Sequence, residues 1–347
     1  MWQIYLVRYP LKYQVCKLKM KIKKICILGG TGFVGRSLAN SLVAKGYEVR
    51  ILTRNRDLNK NDLILLPNLD LVETNIHDPD LLLTHMNDCD AVINLVGILN
   101  EPGTNGKLFK QAHVTLTQNL IKICEQLGIK RVLQMSALNA TEDAPSHYLR
   151  TKGEAENLAH SSRLIKTTSF RPSVIFGPGD SFFNRFASLL KITPVVFPLA
   201  CPMSKFSPVY LGDLTKAMVA SLENTDCYGK RLDIYGPNIY TLQELVEYTC
   251  ECLNMKRIIY PLPDILSRIQ ATVFDMAGFF FSLLKIEKPF SLDNYLSLKL
   301  DSVSENNSLE LFNIIPTAIE TIVPQYLTKR NIRSAYYTYR KQSRRNA

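Results

Sequence analysis

Short apolar runs alternate with stretches of helical periodicity up to about residue 220. The apolar runs at 25–28, 48–52, 70–73, 91–96, 131–135 and 168–175 read as strands. Between them, the spacing of apolar positions at 33–45, 107–127 and 148–159 predicts helices. Strand and helix in regular alternation imply a parallel, doubly wound α/β sheet of the Rossmann class. The rhythm lapses over 177–208, which is rich in Pro, Phe and Gly and reads as a loop region inserted over the sheet edge. It resumes with a helix predicted over 241–254, capped by Thr241. The span 264–285 is strongly apolar and aromatic (Phe274, Phe279, Phe280, Phe281), interrupted by Arg268 and Asp275. Two readings of it stay open: a helix packed into a core, or one lying on a membrane or a large partner. The division that results is a basic extension at 1–21, a sheet core at 22–255, a smaller C-terminal lid or interface region at 256–330 and a basic tail at 331–347.

Charge changes this picture at the ends only. The formal net charge is +11 over 347 residues. Residues 1–24 hold seven basic side chains, the residues after Glu320 hold seven more, and neither stretch holds an acid beyond that glutamate. With those 14 of the 42 basic residues set aside, the body carries 28 basic against 31 acidic side chains. The positive charge therefore marks two tails rather than a groove, which argues against a nucleic-acid-binding body. Basic tails suit an anionic membrane surface, or RNA-rich or acidic protein partners, and equally suit solvated ends. No run of 18 or more apolar residues is present, so no bilayer-spanning helix is expected. The first 24 residues lack a secretory pattern and read as a weak organelle presequence or as leader to a start at Met20. The eight cysteines have no paired spacing, which suggests a reducing compartment, and the five histidines do not cluster, so no metal site is expected.

Candidate chemistry begins at Ile25-Cys-Ile-Leu-Gly-Gly-Thr-Gly-Phe-Val-Gly35, a buried-type strand that breaks into glycines and then a helix. This arrangement carries backbone N–H groups to a phosphate and adds the positive end of a helix dipole. Gly29 permits the tight turn, Gly32 lets backbone approach a pyrophosphate, and Gly35 lets the helix lie close on the strand. Gly29, Thr31, Gly32, Phe33, Val34 and Gly35 are the expected binding residues of this turn. The second strand ends Leu52-Thr53-Arg54-Asn55-Arg56 without the carboxylate that would hold the ribose hydroxyls of NAD. A guanidinium there suits a 2′-phosphate, so Arg54, with Arg56 assisting, favours NADP(H) over NAD(H). Asn75 and Ile76 follow the third strand where an adenine would lie, and Leu95, Val96 and Gly97 end the fourth beside the cofactor path.

Tyr148 and Lys152 stand four residues apart on a predicted helix and share one face. A neighbouring ammonium is expected to lower the tyrosine pKa toward neutrality, which would let the phenol exchange a proton with a substrate oxygen during hydride transfer. The lysine would also hold the nicotinamide ribose. Ser136 ends the fifth strand just upstream.

Glycine loop, Arg54, strand-end serine and Tyr-x-x-x-Lys together resemble the extended or atypical short-chain dehydrogenases/reductases. The resemblance implies Tyr148 as acid/base, Lys152 as its partner and Ser136 as substrate-orienting hydroxyl. Extended members commonly place that hydroxyl one or two residues later, where this chain has Ala137 and Leu138. The likeness narrows with His147–Glu156, Val92–Gly97, Phe170–Pro178 (which brings Pro172 into the cofactor-binding set), Asp180–Phe186, Pro208–Tyr210, Asp213, Ser291–Tyr295, Leu300-Asp301, Ile315–Ala318 and Pro324–Leu327. As a set these are similar to the family of the nucleotide-binding alpha-subcomplex subunit nine of respiratory complex I and its bacterial relatives, over about residues 22–330. Two functions are implied. One is an NADP(H)-dependent oxidoreductase acting on an apolar, quinone-related substrate, linked to complex I or quinone biosynthesis. The other is a nucleotide-binding accessory or assembly subunit without turnover. The implied location is the matrix side of the mitochondrial inner membrane in a eukaryote, or the cytoplasmic face of the inner membrane, peripherally bound, in a bacterium.

Overall fold

The computed structural model describes residues 22–59, 63, 65–101, 103–277 and 288–328. The two basic tails and Phe279, Phe280 and Phe281 lie outside the described residues. Strand β1 (Lys24–Leu28) leads through the glycine turn into helix α1 (Phe33–Ala44), and β2 (Glu48–Thr53) and β3 (Leu69–Glu73) follow. Helix α2 (Pro79–Met86) opens on Asp78, whose side chain accepts from the amides of Asp80 and Leu81, with Pro79 at the first helical position. Next come β4 (Ala91–Asn94), helix α3 (Leu116–Leu127), β5 (Arg131–Met135), helix α4 (His147–Ala159) and β6 (Lys166–Pro172). Helix α3 is entered through a π-helical turn at Lys110–Thr115. Helix α5 (Phe183–Ile192) and helix α6 (Leu211–Ser221) precede the last sheet strand, β7 (Arg231–Ile234).

These seven strands form one sheet in the order β7-β6-β5-β4-β1-β2-β3, with every pair parallel. The order reverses between β1 and β4, and ligands of such sheets bind in the crevice at that point, beyond the carboxyl ends of the strands. Strands β4 and β5 are buried at every position, as central parallel strands covered on both faces must be. Alternate residues of β1 serve opposite faces. Ile25 and Ile27 pack with Leu38 and Leu42 of α1 and with Leu214 and Met218 of α6. Cys26 and Leu28 pack with Leu82 and Met86 of α2 and with Leu120 and Cys124 of α3. The cysteines of the described residues are all free thiols.

Residues 177–208 depart from the expected loop. They hold α5 and short strands at Val196–Leu199 and Lys205–Phe206. Phe176, Phe183, Leu190 and Phe197 pack there against helix α7 (Leu242–Cys252) and against Ile319 and Val323 of the C-terminal helix Ile319–Leu327. The aromatic residues that broke the periodicity are thus a third core, and the smaller region draws on residues well before 256. Helix α7 carries the Thr241 cap as expected, completed into a reciprocal capping box with Glu244. In helix α8 (Asp264–Met276) the small residues Ser267 and Ala271 face inward. Its large apolar side chains point outward: Ile265, Ile269, Val273 and Met276 are each more than half exposed. A short helix α9 (Leu292–Ser297) follows, and helix α10 (Ile319–Leu327) closes the described chain.

Candidate functional site

At the end of β1 the backbone turns through Gly29 at φ +77°, where the left-handed region favours glycine. The Gly32 amide donates to the Gly29 carbonyl at 3.1 Å and closes the turn. A Cβ on Gly35 would lie 2.5 Å from the carbonyl oxygen of Gly29, so only glycine allows α1 to begin this close to the turn. Helix α1 starts at Gly32 with no side-chain cap and no acid in its first turn, which leaves the first amides directed out of the strand end. A Cβ on Gly29 would lie 3.1 Å from Leu95 and Val96, so the turn rests directly on the exit of β4. That exit is shaped from beneath. Asn94 donates to Gln134 at 3.0 Å and to Thr117 at 3.3 Å, while its own side-chain oxygen accepts from the Val96 amide at 3.1 Å.

Lys152 spans the exits of β4 and β5. Its ammonium donates to the Val96 carbonyl at 3.2 Å and to the Met135 carbonyl at 3.1 Å. It is buried, pairs with no carboxylate among the described residues, and burial lowers its pKa to about 8. A Cβ on Gly97 would lie 3.0 Å from the Lys152 Nζ, so Gly97 keeps the approach to the ammonium open.

Tyr148 stands one turn earlier on α4, edge-on to His113 (5.8 Å between ring centroids) and to Phe109 (6.2 Å). The expected lowering of its pKa is reversed: burial, and then the Asp293 carboxylate, push it up to about 12. A phenolate needs water, and two aromatic rings cover part of the Tyr148 ring. The Lys152 charge, spent on two carbonyls, does not offset this. Asp293, from α9, accepts the amides of His147 at 2.6 Å and Tyr148 at 3.1 Å. With the Ser146 side chain accepting from Leu149 at 3.2 Å, three amides of the first turn of α4 are satisfied.

His113 was not among the sequence candidates. Its Nε2 accepts the Ile98 amide at 3.2 Å, so its Nδ1 carries the proton and donates to the Thr151 hydroxyl at 2.9 Å. Thr151 in turn donates to the His147 carbonyl at 2.7 Å. Burial, and then the Lys152 charge, lower the His113 pKa to about 2, so the ring is neutral. It sits in the π-helical turn, a one-residue register shift common at functional sites. Periodicity cannot reveal that shift, and although the resemblance drew attention to Ser291–Tyr295, nothing in the sequence joined Asp293 to Tyr148, 145 residues away.

Arg54 follows the end of β2, exposed, with no ion pair or hydrogen bond among the described residues. The register pairs Leu28 with Leu52, which sets Arg54 just beyond the level of the glycine turn. Arg56 instead begins a short helix, its amide donating to Glu73 at 2.8 Å. Beyond β3, Asn75 accepts the His77 amide at 3.1 Å while Ile76 is buried. Pro172 ends β6, and its carbonyl accepts from Leu138 at 3.1 Å, which orders the loop after Ser136.

Among the described residues, three buried side-chain oxygens have no hydrogen-bond partner: Thr74 Oγ1, Asn100 Oδ1 and Ser136 Oγ. Each lies past the carboxyl end of a different strand, β3, β4 or β5. A buried oxygen left unpaired costs roughly 1–3 kcal/mol. The glycine turn, at the same edge, supplies amides for an anionic centre. The residues present therefore fit a dinucleotide.

Residues 25–234 match the model of the NAD dependent epimerase/dehydratase family. The chain belongs to that family. Within it, the chain is 28% identical to the Arabidopsis thaliana protein NADH dehydrogenase (ubiquinone) 1 alpha subcomplex subunit 9, mitochondrial, over 87% of this chain and 76% of the relative. The Mus musculus protein of the same name is 29% identical over 85% of this chain and 77% of its own length. The fold is shared with the Thermus thermophilus UDP-glucose 4-epimerase in complex with NAD (TM-score 0.58, 18% identity, 69% of this chain and 86% of that one). The expected resemblance to complex I subunit nine is thus met by relatives of that name across most of the chain. Epimerase/dehydratase membership agrees with the seven-stranded doubly wound sheet.

Proposed function

We propose that this protein holds NADP(H) across the carboxyl edge of its sheet, as a short-chain-dehydrogenase-type component of a respiratory NADH:ubiquinone oxidoreductase or of ubiquinone metabolism. The observation that carries the reading is the Gly29–Gly35 turn, which sets an uncapped helix start at the point where strand order reverses. The names of the relatives, alpha subcomplex subunit 9, supply the setting. Arg54, beyond β2 and without an ion pair among the described residues, supports NADPH over NADH through its fork geometry toward a 2′-phosphate. Asn75, Ile76, Leu95, Val96, Gly97 and Pro172 would continue the binding edge from adenine to nicotinamide. Lys152 has three N–H donors and uses two on backbone carbonyls, leaving one for a ribose hydroxyl.

When bound, NADPH would supply a hydride. Tyr148, protonated at neutral pH, would give a proton to the substrate oxygen, and Ser136, whose Oγ lacks a partner, would orient it. A second reading, an accessory subunit that holds the nucleotide without turnover, is favoured by that same Tyr148. A general acid works best with a pKa near the working pH, and this one is displaced upward by burial and a carboxylate.

The outward apolar stripe of α8, together with the two basic tails, supports peripheral attachment to an anionic inner membrane. That membrane would be the mitochondrial one, on its matrix side, in a eukaryote. Native mass spectrometry of the purified protein, followed by NADPH and NADH titrations of wild type and Arg54→Ala, tests the nucleotide reading. A co-purifying or tightly binding NADPH, weakened about tenfold by the substitution, is expected. Absence of binding by either nucleotide overturns it.

A further inference from the structure

The segment from Ser291 to Ser302 crosses the same edge of the sheet that carries the candidate nucleotide site. Its contacts fall on the loop after each of three central strands. Asn294 donates to the Leu99 carbonyl, beyond β4, at 3.2 Å. Asn139, beyond β5, donates to the Asp301 carbonyl at 2.8 Å. Ser173, beyond β6, donates to the Ser302 carbonyl at 2.8 Å. Between these, Ser297 donates to the Ser146 hydroxyl at 2.8 Å, and Asp293 takes the amides of His147 and Tyr148. The segment is therefore a strap over the β4, β5 and β6 exits. Its one carboxylate in direct contact with α4 occupies the positive end of the helix that bears Tyr148 and Lys152. Helix ends are capped most simply from within a few residues; this one draws two of its four free amides' acceptors from the far end of the chain.

We propose that Asp293 is a positioning residue for the nucleotide site, through which docking of the Ser291–Ser302 strap and nucleotide binding stabilise each other. Asp293 fixes the start of α4, and with it the ring of Tyr148 and the reach of Lys152 to the Val96 and Met135 carbonyls. A nucleotide that draws on Lys152 and on Gly97 holds the β4 and β5 exits in the arrangement the strap needs for its bonds to Leu99 and Asn139. By linkage, whatever the strap contributes to nucleotide affinity the nucleotide returns to strap docking. The inference rests on the reading that this edge binds NADP(H).

Hydrogen–deuterium exchange of the full chain, with and without NADPH, reads both sides of the coupling. In wild type, NADPH is expected to slow exchange in peptides covering 291–302 as well as in the glycine turn. Asp293→Ala should weaken NADPH binding about tenfold, inside the roughly 5–150-fold span of coupled sites. At saturating NADPH it should abolish the nucleotide-dependent protection of 291–302 while leaving that of the glycine turn. A general loss of stability would not split the two regions in this way. Asp293→Asn, which keeps the shape and one accepting oxygen, should fall between. Should Asp293→Ala fold poorly, Asn139→Ala removes a strap bond from the sheet side and is expected to reduce the same protection. Wild-type affinity with full strap protection in the Asp293 variants overturns the coupling. Failure of the wild type to bind either NADPH or NADH overturns the nucleotide reading itself, and the coupling with it.

Discussion

Lys152 offers a direct measure of how far this site departs from what stability alone would favour. The residue is 4% exposed, without a carboxylate partner among the described residues, and its pKa is lowered from 10.5 to about 8. At about 1.36 kcal/mol per pKa unit, keeping it charged at pH 7 costs about 3 kcal/mol relative to the unfolded chain. Because the folded pKa lies below the unfolded one, the unfolded state binds more protons between the two values, and stability rises with pH across that window. The penalty is fully present below pH 8 and disappears as pH approaches 10.5. Between pH 7 and 9.5 the wild type should therefore gain about 2 kcal/mol over Lys152→Met, which has no charge to lose. Urea unfolding of both proteins at the two pH values gives the number, and comparing the pair cancels the titrating groups that Lys152 does not influence. The same proton loss should weaken NADPH binding above pH 8, since an amine holds a ribose hydroxyl less strongly than an ammonium does. A wild-type-minus-variant difference that stays constant between pH 7 and 9.5 would refute the assignment of Lys152 as a buried, unpaired cation.

Gly35→Ala places a methyl 2.5 Å from the Gly29 carbonyl; it should cost about 1–3 kcal/mol in thermal unfolding and abolish NADPH binding. Gly46→Ala, at φ +87° with nothing within 4 Å, should cost about 1–2 kcal/mol and leave binding intact, so equal effects on binding would contradict the assigned role of the turn. Tyr148→Phe should remove any reductase turnover while holding NADPH affinity within about a factor of three, roughly 0.65 kcal/mol; activity that survives would exclude Tyr148 as the proton donor. Co-sedimentation with anionic vesicles at low salt should drop sharply for Ile269→Asp and Met276→Asp, and wild-type protein that stays in the supernatant would remove the membrane proposal.

The βαβ unit, the parallel sheet and the glycine turn were legible from the residues because each rests on short-range rules. Ile25–Leu28 is apolar on both faces since a central strand is covered twice. Gly29 and Gly35 are needed within one turn of each other, and Tyr148 and Lys152 are neighbours by helix pitch alone. The aromatic run near Phe176–Phe186 was harder to place, because its packing partners, Leu245 and Val323, lie far along the chain and turn an apparent loop into a core.

Composition and spacing alone thus determined the fold class and the glycine turn at the carboxyl edge of the sheet, since periodicity and backbone freedom are properties of neighbouring residues. Tertiary structure decided the chemistry. It set the direction of the Tyr148 pKa, which depends on the rings of Phe109 and His113 and on a carboxylate from α9. It also decided the carbonyl partners of Lys152 and the outward stripe of α8. Solvation and charge at a site are set by what surrounds it in space, and for Tyr148 the carboxylate that adds to burial, Asp293, stands 145 residues along the chain.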